Sequence, residues 1–176
     1  EVGLAVGEAP TSKGYTPSVF ALLPRLLERT GTNSIGSITG LYSVLVEGDD
    51  LSDPVADSAR SILDGHIVLS RDLANKGHYP SVDVLKSVSR LKTTIAKGER
   101  LEQINRIIEL LSVFSDSEDL INIGAYSEGS NPNVDMAIKF MPVINQLLRQ
   151  KIEEKTDLNE TLNVISAIFE KINSIK

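Results

Sequence analysis

Cysteine is absent from the 176 residues, which excludes disulfides, zinc–thiolate sites and thiol catalysis. The same absence fits a reducing compartment. Histidine is scarce: His66 lies inside a strand pattern, His78 precedes Tyr79-Pro80, and no spacing suggests a metal triad. Basic residues are outnumbered, 18 Lys plus Arg against 24 Asp plus Glu, and the net charge of −6 argues against a broad nucleic-acid-binding surface. No apolar run approaches the roughly 18 residues of a membrane span. A charged n-region leading into an apolar h-region is missing too, so no secretory leader is expected in the chain.

What is present is an ordinary globular composition, 41% apolar and 24% charged, enough for one substantial core or one domain plus part of another. The composition shifts near residue 95. The first part is rich in Gly, Pro and Ser. Within it, Leu41-Tyr42-Ser43-Val44-Leu45-Val46 reads as a strand buried on both faces, and His66-Ile67-Val68-Leu69 as a second, shorter strand. Pro17 predicts a helix over 18–29, closed by Gly31, with Pro24 expected to kink it or divide it in two. Strands alternating with helices suggest a parallel α/β sheet. Two strands are too few for a self-contained sheet of about four to six. Together with the missing initiator Met, this predicts a piece of a longer protein.

The second part reads as helices throughout. Leu101, Ile104, Ile107, Ile108, Leu111 and Phe114 share one helical face. Ser115 with Glu118 has the spacing of a capping box and predicts a short helix ending before Gly124. Asn131-Pro132 starts a longer helix carrying Val134, Ile138, Met141, Leu148 and Ile152, with a kink expected at Pro142. Asp157 with Glu160 starts a last helix striped with Leu162, Ile165, Ile168, Phe169, Ile172 and Ile175. These stripes are read as the core of a small bundle.

Two apparent sites are set aside. Gly31-Thr32-Asn33-Ser34-Ile35-Gly36 has the two-glycine spacing of a phosphate-binding loop, but Ser37-Ile38 follows it instead of Lys-Ser/Thr. The acidic cluster Asp49, Asp50, Asp53 and Asp57 lacks the glycine and Glu positions of a calcium loop, and a solvated loop around Pro54 is the better reading. No metal site is predicted.

A family resemblance carries the functional reading. The run from Gly3 to Phe20, containing Gly7-Glu8-Ala9-Pro10-Thr11-Ser12-Lys13-Gly14-Tyr15-Thr16-Pro17, resembles the stretch after the Walker B strand of flagellar and injectisome export ATPases. The match continues through Leu22-Leu23-Pro24-Arg25-Leu26-Leu27, Gly36-Ser37-Ile38-Thr39, Glu47-Gly48-Asp49-Asp50 and Asp53-Pro54-Val55-Ala56-Asp57. It goes on over Ile62 to Arg71, Gly77-His78-Tyr79-Pro80 and Ser87-Val88-Ser89-Arg90, and is looser at Ile123-Gly124-Ala125-Tyr126.

The resemblance implies an α/β plus all-α chain. Residues 1–95 would be the C-terminal part of a RecA-like parallel-sheet nucleotide-binding domain, and 96–176 a helical domain. It implies a magnesium-dependent, homohexameric ATP hydrolase related to the catalytic head of rotary ATP synthases, with the P-loop, catalytic carboxylate and Walker B Asp upstream. Arg90 would be an arginine finger acting on the neighbouring subunit. Tyr79 and Pro80, with Tyr126 opposite, would form an adenine pocket, and Asp49, Asp50 and Asp53 would face a coiled-coil stalk in the pore. The further partners implied are an export regulator, an export gate and chaperone–cargo complexes, at the inner face of the cytoplasmic membrane. The alternatives are an injectisome ATPase, a rotary ATP synthase subunit and a non-catalytic interaction module.

Overall fold

Proline and short polar side chains set where the helices of this chain begin. The computed structural model describes residues 1–174; Ile175, assigned above to the last helical stripe, lies outside them. The chain forms two compact units, Glu1–His66 and Ile67–Lys176.

In the first unit a short helix α1 (Val2–Ala5) is followed by a turn at Ser12–Gly14 and by helix α2 (Pro17–Leu27). Pro17 occupies the first turn of α2, where its missing N–H costs nothing. Pro24 sits inside this single eleven-residue helix and does not divide it. Thr16 makes no side-chain cap, and the Glu8 carboxylate instead accepts from Ser18 N at 3.1 Å. Gly3 lies so close to this corner that a Cβ there would stand 2.3 Å from Thr16 Oγ1.

Two two-residue strands, β1 (Gly31–Thr32) and β2 (Ser37–Ile38), make an antiparallel hairpin. The loop between them is closed by the Asn33 side chain, which accepts from Ile35 N and Gly36 N. The two-glycine run is therefore a hairpin and not a phosphate loop. Helix α3 (Pro54–Ile62) then packs on α2, burying Leu27, Ala56 and Ala59.

The strand expected over 41–46 does not form. That stretch carries no strand pairing, and Leu41 and Leu45 are 94% and 96% exposed. A doubly buried strand needs a neighbour on each edge and a layer on each face. Among the described residues this segment has no strand beside it.

The strand expected at His66–Leu69 does form, as β3 (Gly65–Leu69). It leads through helix α4 (Arg71–Asn75) to an unforeseen strand β4 (Val82–Ser89), and the two pair as a two-stranded sheet. Short helix α5 (Lys92–Ile95) follows.

The rest of the second unit is three long helices, α6 (Glu99–Asn122), α7 (Pro132–Leu148) and α8 (Leu158–Asn173). Ile107, Leu110, Ala137, Phe140, Ile144, Ile168 and Ile172 form their shared core. α7 starts as expected, with Asn131 accepting from Asn133 N and Pro132 in the first turn. α8 starts with a complete reciprocal capping box between Asp157 and Glu160.

Two helical expectations are corrected. Ser115 starts no helix, because α6 runs through it to Asn122. Continuing a helix adds one backbone bond per residue fixed, whereas a new start repeats the nucleation cost. The stop comes at Gly124, with φ +69, where Ala125 N returns to Leu120 O. Ile152 is not on α7, which ends at Leu148, and it is fully exposed. Among the described residues no helix is long and apolar enough to cross a membrane.

Candidate nucleotide-contact site

The sequence around β4 places two of the candidate residues at the two ends of one strand. Ser70 caps α4 by accepting from Leu73 N, and its own N–H donates to Ser81 O at 2.8 Å. α4 ends at Asn75, and Gly77, two residues on, takes a left-handed φ of +67 that costs glycine no Cβ clash. The next residue turns inward: His78 is 6% exposed and its N–H donates to Leu73 O at 2.9 Å. Tyr79 turns outward and is 57% exposed, leaving an aromatic face open. The Tyr79–Pro80 peptide is cis.

At the other end, Ser87 shapes the approach to Arg90. Its Oγ donates to Asp83 O, four residues back, at 2.6 Å. An evenly extended strand would separate such residues by roughly 13 Å, so β4 bends between them. Asp83 holds the bend by accepting from Lys86 N and pairing with Lys86 Nζ at 3.2 Å. The same Ser87 Oγ accepts from Val68 N at 3.0 Å, tying β4 to β3. Arg90 follows directly after the strand's last residue and is exposed.

Tyr126 is half-buried in the connection between α6 and α7. Its hydroxyl donates to Asp135 Oδ1 at 2.7 Å or Asn131 O at 3.0 Å, and accepts from Asn131 N at 3.3 Å. These bonds anchor the connection to the start of α7.

In the first unit, Lys13 joins the two loops of the resemblance, a link no local pattern announced. Its ammonium lies 2.6 Å from Asp50 Oδ2 and 3.4 Å from Asp53 Oδ2. Asp53 is buried and caps α3, its Oδ1 accepting from Val55 N and Ala56 N. Asp50 Oδ1 accepts from Ser52 N, Asp57 pairs with Arg60, and Asp49 is exposed with a φ of +61. The acidic cluster is thus drawn into caps and ion pairs, and among the described residues no group of His, Cys, Asp and Glu is arranged to hold a metal. The bond to Lys13 holds the Asp50 carboxyl below the usual carboxylate range, and the bond to Asp50 raises Lys13. The Ser18 backbone N–H likewise lowers Glu8.

Sequence reasoning passed over the contacts of Ser87, Asp83 and Lys13. Only the Ser-x-Ser spacing before Arg90 hinted at the first of these.

The chain thus joins an α/β segment to a three-helix bundle. Residues 1–89 match the model of the ATP synthase alpha/beta family, nucleotide-binding domain, and residues 96–167 match that of the T3SS EscN ATPase C-terminal domain. The chain belongs to the ATP synthase alpha/beta family.

Within the family it is similar to the flagellum-specific ATP synthase of Bacillus subtilis (strain 168), with 55% identity over 168 residues, covering 96% of this chain and 38% of that one. It is also similar to the type 3 secretion system ATPase of Pseudomonas savastanoi pv. phaseolicola, with 47% identity over 93% of this chain and 36% of that one. Among solved structures, the assembled ATPase EscN of the enteropathogenic E. coli type III secretion system matches with a TM-score of 0.91 at 40% identity, over 95% of this chain and 40% of that one. EscN in complex with its central stalk EscO matches with a TM-score of 0.84 at 38% identity, over the same shares. The chain therefore spans about two fifths of the length of the relatives it matches.

Proposed function

We propose that this chain is the C-terminal part of a hexameric ATPase subunit that energises protein export for flagellum assembly. The higher identity to the flagellar relative than to the secretion-system relative supports that branch. We put the domain division near residue 95, supported by the change of matched family model between residues 89 and 96. The helices and small sheets of residues 1–95 would then join a larger parallel sheet of RecA type in the whole protein. ATP and Mg²⁺ would be bound mainly by groups outside this chain, since the described residues offer neither a phosphate loop nor a metal cluster. The working location is the cytoplasm, at the inner face of the membrane.

The observation that carries the reading is Arg90, exposed at the end of a strand that Ser87 ties to its neighbour. A guanidinium held this way is suited to neutralise charge developing on a phosphoryl group bound by the next subunit. Tyr79 offers its open face to adenine in its own subunit, Pro80 shapes that turn, and Tyr126 lines the pocket from the bundle side. Base stacking of this kind contributes about 1–3 kcal/mol by analogy with single-strand binders.

The loop carrying Asp49, Asp50 and Asp53 is assigned to the central stalk, supported by the likeness to an ATPase solved with its stalk. Asp49 would present charge outward there, Asp50 would exchange between Lys13 and a basic stalk group, and Asp53 would hold the loop's shape as a cap. Export regulator, export gate and chaperone–cargo complexes are the remaining proposed partners.

The test is Arg90→Ala in the full-length protein. Turnover should fall by about 10³–10⁵, equivalent to about 4–7 kcal/mol of barrier. ATP affinity and hexamer formation should persist. Unchanged turnover would overturn the assignment.

A further inference from the structure

The aromatic turn is held by a segment 71 residues away in sequence. α7 stops at Leu148, and Arg149 takes an extended conformation with φ −100 and ψ 142. The chain leaving the helix therefore turns toward 78–79. Gln150 N donates to Tyr79 O at 2.9 Å, and Arg149 Nε donates to His78 Nδ1 at 3.4 Å. From the other side Leu73 O, on α4, accepts from His78 N. The backbone around residues 78–79 is thus fixed between α4 and the end of α7, while the Tyr79 ring is left open.

The chemistry of the histidine adds direction. Accepting from Arg149 uses the Nδ1 lone pair, which leaves Nε2 as the ring's other polar atom. That buried Nε2 has no hydrogen-bond partner among the described residues, so the ring's only recorded side-chain bond is the one to Arg149.

We propose that Arg149, His78 and the Gln150 backbone N–H are positioning groups that hold Tyr79 where its ring meets the nucleotide base. Any shift of the α7 end within the helical bundle is then transmitted to the base-contacting turn. The inference rests on the reading of Tyr79 as the residue that meets adenine.

The experiment uses the full-length protein with five variants and two ligands, ATP and inorganic pyrophosphate, the latter having no base. Arg149→Met should raise KM for ATP by about three- to tenfold, the range of one ordinary lost hydrogen bond. kcat should stay within about twofold and pyrophosphate affinity should be unchanged. His78→Asn, which keeps an acceptor near the Nδ1 position, should behave as wild type, whereas His78→Leu should match Arg149→Met. Gln150→Pro removes the N–H while Arg149 already has the extended conformation that a following proline demands. It serves as the independent variant should Arg149→Met fold poorly, and its expected effect is the same rise in KM.

Equal weakening of ATP and pyrophosphate would overturn the proposal by showing a general structural effect. So would wild-type KM in both Arg149→Met and Gln150→Pro. Tyr79→Ala separates the two levels. If it weakens ATP and the positioning variants do not, the clamp fails and the Tyr79 reading stands. If Tyr79→Ala itself leaves ATP affinity unchanged, the reading falls and the clamp falls with it.

Discussion

Lys13 illustrates how one side chain closes a gap between loops. It bonds Asp50 at 2.6 Å and Asp53 at 3.4 Å from a left-handed backbone, φ 52, that a non-glycine residue adopts only with support from its surroundings. The pH dependence follows from the signs of the shifts. Asp50 and Glu8 are lowered in the folded protein, so their contributions are present above the unfolded carboxylate range and vanish as acid titrates them through the lowered values. Lys13 is raised, so its contribution is present below the usual lysine range and is lost as pH climbs through the raised value. The urea midpoint of Lys13→Met should therefore lie below wild type by a constant amount from about pH 6 to pH 9. The difference should shrink below about pH 4 and above about pH 11. Glu8, which does not involve Lys13, should leave acid sensitivity in the variant.

At the scale of elements, two motifs of the same spacing behave differently. Asp157 and Glu160 make a full capping box at the start of α8, whereas Ser115 and Glu118 lie within α6. Asp157→Ala should cost about 1 kcal/mol, since an orphan N–H loses its acceptor. Ser115→Ala, at an exposed mid-helix position, should instead stabilise by up to about 0.5 kcal/mol, because alanine is the better helix former. Denaturant titration of the two variants side by side gives opposite signs if α6 is continuous, and the same sign if a helix starts at Ser115. The helix starts at 17, 132 and 158 were legible because a proline or a cap acts within one turn of chain. The stretch 41–46 was not, since an apolar run becomes a strand only when other strands supply its hydrogen bonds.

At the scale of the whole molecule, catalysis by a ring of subunits divides labour between chains. On the proposed reading this 176-residue chain alone should show no ATP hydrolysis above background. Mixing full-length Arg90→Ala subunits with full-length subunits defective in their phosphate loop should restore part of the turnover. The restored turnover would come from boundaries that pair an intact phosphate site with an intact arginine. Turnover by the isolated chain, or no recovery on mixing, would count against action across a subunit boundary.

Some of this protein was written in adjacent residues, and some was decided only when distant segments met. The Ser-x-Ser-Arg and Gly-His-Tyr-Pro motifs, the helical character of the second part and the Ile168–Ile172 face of α8 were legible because composition, period and caps are local properties, whereas the core face of α7 is Ala137, Phe140 and Ile144 and not the stripe read for it. That α6 runs on past Ser115 to Asn122 was not legible, because the Ser115–Glu118 spacing looks like a helix start. The Lys13 link across 37 residues and the hold of Arg149 on His78 across 71 were set by tertiary structure alone. A hydrogen bond depends on distance and direction in space, and neither is carried by separation along the chain.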